Sequence, residues 1–205
     1  MDILFLWLAA LLLAVDFALN KIYEGRFGSD PAGSLTFNCF LGLFSFFFFF
    51  LLGGGRFPVT PFSLGLAALL SLCVMGYHII GFRLLAGGTV ATYTTALMAG
   101  GMLLPYLFGV AFLGEAFSFL RAVAVGLILL GVLLTSPPVR REKAGVLLLL
   151  FAVFLLNGAV SILSKVHQVQ TVYPAVDATA FVALSGGVKC LFSAAALPFF
   201  LRRRA

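Results

Sequence analysis

Apolar positions in this chain fall in long unbroken blocks rather than at a helical or strand period. The blocks cover residues 3–20, 33–52, 61–84, 90–113, 117–136, 144–164 and 175–201. A bilayer core about 30 Å thick is crossed by a helix of about 20 apolar residues, and each block has roughly that length. Barrel strands would alternate apolar and polar over about 10 residues, and nothing here does. The pattern predicts an all-α polytopic membrane protein with about seven transmembrane helices. The links between blocks are short and turn-rich, as at Gly28-Ser29-Asp30-Pro31, Gly53-Gly54-Gly55 and Pro137-Pro138. They leave no room for a soluble domain, so function is expected among the helices.

Composition agrees. Hydrophobic residues make up 62% of 205 positions and charged residues 10%, against about 45–50% and about 25% in soluble domains. The natural partner of such a surface is the lipid bilayer. The net charge of +6 comes from 13 basic residues that sit mostly between the blocks. There they set orientation, and they give no nucleic-acid signal. The first block lacks a basic n-region and is longer than the 7–15 residues of a signal peptide's apolar core, so it reads as a retained first span. Cys39, Cys73 and Cys190 all lie inside blocks without metal-ligand spacing and read as small packing residues. Phe46 to Phe50 form an unbroken aromatic run suited to lipid contact on every face.

The sixth and seventh blocks echo the first and second. A shift of 144 positions brings Lys21 onto Lys165, Phe37 onto Phe181, Gly42 onto Gly186 and Phe48 onto Phe192. The repeating unit then holds five helices. An odd number makes its second copy enter the membrane from the opposite side, the inverted repeat of many secondary transporters. Residues 1–136 form the first repeat, 137–143 a basic inter-repeat loop and 144–205 a partial second repeat of two helices.

Three stretches carry a resemblance to a known family: Asn20-Lys21 closing the first helix, the run from Pro105 through Tyr106, Gly109 and Phe112 to Leu113-Gly114-Glu115, and the next helix with Gly126, Leu130 and Gly131 before a basic loop. In these the chain resembles the EamA branch of the drug/metabolite transporter superfamily, whose members usually have ten helices in two five-helix repeats. The resemblance implies a secondary transporter of small metabolites or amphipathic compounds, in a bacterial cytoplasmic membrane and without a cofactor. It also implies a chain truncated in its second repeat. Such a chain would be a fragment, or would be completed by a second copy or by a separate second-half partner. A non-transporting membrane subunit or scaffold is the alternative reading.

Ionisable and polar residues inside spans are costly and are functional candidates by default. Asp16 shares a helix face with Asn20 and Tyr23; it is a proton-carrier candidate, or is hydrated near the helix end or paired with Lys21. His78, beside Tyr77, is expected to meet substrate, to take up a proton near neutral pH, or to make a structural interhelical hydrogen bond, while Arg83 snorkels to the interface. In the fourth block Gly100, Gly101 and Pro105 are candidates for a helix break, and Tyr93 and Thr94 for cavity lining or plain packing. Asn157, Ser161, Lys165 and Gln168 align on one stripe of the sixth block, either as a polar path or as packing. Lys189, mid-span beside Gly186 and Gly187, is expected to bind an anionic group or to pair with an acid such as Asp16. Glu115 is expected at a structural junction, capping the N-terminus of the fifth helix. The chain has no His-Glu-x-x-His, Gly-x-Ser-x-Gly or Cys-His cluster and no phosphate-binding Gly-Lys-Ser/Thr loop, so neither an enzyme nor an ATP-driven pump is expected.

Two lines bear on orientation and disagree. A cytoplasmic N-terminus would leave three basic residues in inner loops and nine in outer ones, so the positive-inside rule places the N-terminus outside. The resemblance implies the reverse. The charge count, made on this chain's own residues, is followed here.

Overall fold

The computed structural model describes residues 2–87, 90–135 and 144–202, and among them there is no strand. The described residues form seven helices in chain order: α1 (Asp2–Phe27), α2 (Pro31–Leu52), α3 (Pro61–Ala86), α4 (Val90–Phe112), α5 (Phe119–Thr135), α6 (Ala144–Val169) and α7 (Ala178–Arg202). Among the described residues, α2, α3, α4, α6 and α7 are long and apolar enough to cross a membrane. The chain is an all-helical membrane protein. The basic loop over 137–143 lies outside the described residues.

The helix starts are set by local chemistry. Asp30 accepts a hydrogen bond from the Ala32 amide at 3.1 Å, Thr60 accepts from the Ser63 amide at 3.3 Å, and Asp177 accepts from the Ala180 amide at 2.9 Å. Pro31 and Pro61 open α2 and α3, where their missing donors are harmless. After α2 the chain turns through Gly54 and Gly55 at φ +71° and +74°, a conformation closed to most side chains.

Several helices outrun the apolar blocks. α1 continues through Lys21, Glu24 and Arg26, and α6 through Lys165 and His167. Apolar length counts only what lipid can solvate; in these polar turns protein groups receive the Lys21, Glu24, Lys165 and His167 side chains.

α3 is the hub and packs against α1, α2, α4, α6 and α7. Its inward residues enter two apolar clusters. One joins Ala67 to Phe181, Leu184 and Val188 of α7; the other joins Phe82, Leu84 and Leu85 to Tyr93, Leu150 and Val153. The closest helix pairs are α2 with α7 and α4 with α6.

α2 and α7 run antiparallel and cross at Gly42 and Gly186. A Cβ added at Gly42 would lie 2.6 Å from the Gly186 carbonyl oxygen, and one at Gly186 would lie 2.9 Å from the Gly42 carbonyl oxygen. The flanking contacts are reciprocal too: Gly42 abuts the Cys190 backbone and Gly186 the Phe46 backbone. The two pairs interchange under the 144-residue shift. One turn away the Cys39 and Cys190 thiols are in contact at 3.4 Å. The expectation of lipid on every face of the Phe46–Phe50 run is corrected here. Phe46 lies on Gly187, while Phe47 and Phe48 face outward.

α4 and α6 run parallel in a constant register. Asn157 donates to the Leu97 carbonyl at 2.7 Å and Lys165 to the Pro105 carbonyl at 3.2 Å, both 60 residues apart. Between them Ser161 faces Gly101, and Gly100 sits against the Phe154 backbone. The expected helix break at Gly100, Gly101 and Pro105 is therefore corrected. α4 is continuous through all three, and the glycines serve as the seat for α6. Small residues permit the close backbone approach on which helix packing in lipid depends.

Candidate functional site

Five of the sequence candidates converge between α1, α3, α4 and α7. Asp16, Tyr77, His78, Tyr93 and Lys189 lie within electrostatic reach of one another. The Lys189 charge acts on Asp16 and His78, and the Asp16 charge acts on Tyr77, Tyr93 and Lys189. Asp16 is held by its own helix, where the Asn20 amide donates to the Asp16 carbonyl at 2.8 Å and to its carboxylate at 3.1 Å. Lys21 turns away from Asp16. It pairs with Glu24 at 2.8 Å and donates to the Leu85 carbonyl at the end of α3, also at 2.8 Å. The Asp16–Lys21 pairing considered from sequence is not formed.

His78 makes the interhelical hydrogen bond. Its Nδ1 meets the Asn38 side-chain oxygen at 2.5 Å, while the Asn38 amide donates to the Ser34 carbonyl at 3.0 Å. Because the Asn38 oxygen only accepts, the pairing assigns the proton to His78 Nδ1. Both residues are buried. Phe37 and Tyr77 meet the imidazole in T-shaped contacts at centroid distances of 5.6 and 4.5 Å.

Asn38→Leu keeps the volume and removes the acceptor, which strands a buried N–H. It is expected to lower stability by about 1–2 kcal/mol in detergent-titrated unfolding, with much of the loss recovered in the Asn38→Leu/His78→Phe pair. A single variant as stable as the native chain would show that the bond is dispensable.

Tyr93 is buried and its ring packs on Gly81, while the Thr94 hydroxyl donates back to the Ala91 carbonyl at 2.9 Å. For both, packing is what the geometry gives. Asn157 and Ser161 belong to the α4–α6 ladder and stand apart from the charged cluster.

Glu115 is also placed differently from expectation. α5 begins at Phe119, and Ser118 takes the capping position, accepting from the Arg121 amide at 3.4 Å. Glu115 instead pairs with Lys165 at 2.7 Å. A Cβ at Gly109 would collide with both groups. The pair closes the α4–α5 turn onto α6, so Glu115 is a structural junction by an ion pair rather than by a cap.

Three participants were not singled out from sequence. Asn38 could have been, since a lone amide inside an apolar block needs a partner. His167 and Ser63 were hidden at helix ends. The Ser63 hydroxyl accepts from Thr60 Oγ1 at 2.9 Å and from the Val176 amide at 3.1 Å, so its own proton goes to His167 Nε2 at 2.9 Å. His167 also stacks on Phe181 at 3.7 Å. This knot ties α3, α6 and the α6–α7 loop together at one end of the bundle.

Lys189 differs from every other charged residue of the cluster. Among the described residues it has no hydrogen-bond or ion-pair partner, and it lines a cavity of about 270 Å³ between α2, α3, α6 and α7. Among the described residues, no group of three or more His, Cys, Asp or Glu side chains converges. Compared with protein-family models, curated proteins and solved structures, the chain matches none.

Proposed function

We propose that this protein is a secondary transporter that moves a small solute by alternating access, built on the EamA-like plan of seven spans: one five-helix repeat and two helices of an inverted second repeat. The observation that carries the reading is Lys189, a mid-span cation that has no hydrogen-bond or ion-pair partner among the described residues and faces a cavity next to the α2–α7 crossing. Charges at membrane depth sit on solute and ion pathways, and substrate sites in such transporters lie where the repeats meet. Two further features support it. The contacts at Gly42 and Gly186 are reciprocal under the repeat shift. Lys21 and Lys165, equivalent under the same shift, each bond a carboxylate and a backbone carbonyl, one where α1 and α3 end and the other where α4 and α6 end.

Proton coupling through Asp16 is part of the proposal. Purified protein in vesicles is expected to show saturable uptake of at least one solute from a panel of small metabolites, stimulated by an imposed pH gradient. In Asp16→Asn that stimulation disappears. Uptake that is unchanged in Asp16→Asn at every pH removes the coupling.

A membrane subunit or scaffold is the second reading. One observation favours it: α1 is held by α3 and by the Tyr23 contacts with α2 near its last turns, while Trp7, Leu8, Leu11 and Leu12 stay exposed. A partner chain or second copy would cover them. Absence of any saturable uptake, together with copurification of a second membrane protein, would decide for this reading.

A further inference from the structure

The cavity around Lys189 has a direction and a chemistry. Gln168 lies at the end of α6 and Ala178 in the first turn of α7, and both line it. Lys189 is eleven residues further along α7, about 16 Å deeper at the helical rise. The space therefore runs inward from the end of the bundle that holds the α6–α7 loop and reaches Lys189 at membrane depth. Ser164 and Gln168 add polar side chains on the α6 wall, and Leu70, Val74, Val160 and Val182 are apolar. Ser185 has no proton to offer a ligand, because its hydroxyl shares it between the Phe181 and Val182 carbonyls.

Among the described residues, Lys189 is the only one with a formal charge on this lining. A cation or a second ammonium placed here would be repelled, and a neutral solute would leave Lys189 without an acceptor. Asp16 exerts its charge on Lys189, yet no ion pair is formed between them among the described residues, and the Asp16 carboxylate is engaged by Asn20. A lysine at this depth has its cost reduced by an anion that comes with its own apolar body.

We propose that the cavity is a carboxylate-binding vestibule, in which the Lys189 ammonium takes the carboxylate of a small amphipathic organic acid and the valine-lined wall takes its apolar part. The proposal rests on the transport reading and names its substrate class. It also gives Ser164 and Gln168 a place at the entry, where they hydrogen-bond the acid on its way inward.

The test uses purified full-length protein with phenylacetate and hexanoate as acids and phenylacetamide as the neutral match. Both acids are expected to raise the unfolding temperature saturably and the amide to leave it unchanged. Lys189→Gln weakens acid binding by roughly tenfold or more, and Lys189→Arg restores it. On the native chain, the acids slow reductive methylation of Lys189 and leave the paired Lys21 and Lys165 unaffected. This second measurement decides the matter if Lys189→Gln fails to fold. Stabilisation by the amide equal to that by the acids, acid binding that leaves Lys189 methylation unchanged, or no binding of either acid overturns the vestibule. Vesicle uptake separates the two readings. Acid protection of Lys189 without uptake of any solute sinks the transporter and leaves the vestibule. Saturable uptake of neutral or cationic solutes, with no acid protection, sinks the vestibule and leaves the transporter.

Discussion

Gly100→Leu is expected to destabilise the protein by about 3 kcal/mol or more. A Cβ at Gly100 would occupy the position of the Phe154 carbonyl and Cα. These are backbone atoms in the middle of α6 and cannot rotate aside. The two helices would have to separate, and the parallel ladder would go with the contact. The Asn157 amide would lose the Leu97 carbonyl, and Leu104 would lose its seat on Gly158. In lipid there is little hydrophobic drive to bring separated helices back, so close packing and interhelical hydrogen bonds carry the association. Unfolding in mixed micelles of increasing SDS fraction measures the effect. Gly126→Leu on α5 is the control, because nothing lies within 4 Å of a Cβ there. Equal midpoints for the two variants would mean that α4 and α6 do not meet at Gly100.

Lys165→Met is expected to cost about 2–3 kcal/mol, below the range for fully buried ion pairs, because the partners keep 23% and 32% of their side-chain surface exposed. The substitution leaves the Glu115 carboxylate against the α4 backbone without its cation and removes the Lys165 donor from the Pro105 carbonyl. Methionine fills the volume of the lysine stem, so lost packing contributes little. Glu115→Gln is expected to be milder, since the amide still offers an oxygen to Lys165. The double variant should be less unstable than the sum of the singles, as for any two groups in direct contact. Additive losses would show that the pair contributes nothing, and that Gly109 is small for another reason.

The sequence was legible where lipid dictates the answer. Block length and the absence of alternation gave helices, and the helix starts agree with Asp30-Pro31 and Thr60-Pro61 because capping is local. Gly42 and Gly186, small residues inside apolar blocks, meet at the α2–α7 crossing. The sequence was less legible wherever one polar group had several partners open to it. Lys21 and Asp16 are five residues apart and looked like a pair, but Lys21 chose Glu24 and the Leu85 carbonyl at the end of α3. Glu115 looked like a cap because a turn and a helix follow it; α6 brought Lys165 to it instead. Gly100, Gly101 and Pro105 looked like a break because each disfavours an isolated helix. Packing of α6 onto that face outweighed the local preference.

By itself, then, the sequence determined which stretches are apolar and long enough to form helices suited to lipid, and which few polar residues those stretches carry. Only the tertiary structure decided which of those residues spend their polarity on another helix and which remain open. Asn38 with His78, Asn157 with Leu97 and Lys165 with Glu115 are closed pairs; Lys189, at the same kind of position in the sequence, faces a cavity. The physical reason is that transfer into lipid is a property of one side chain, whereas satisfaction of a donor or a charge is a property of two groups brought together by the fold.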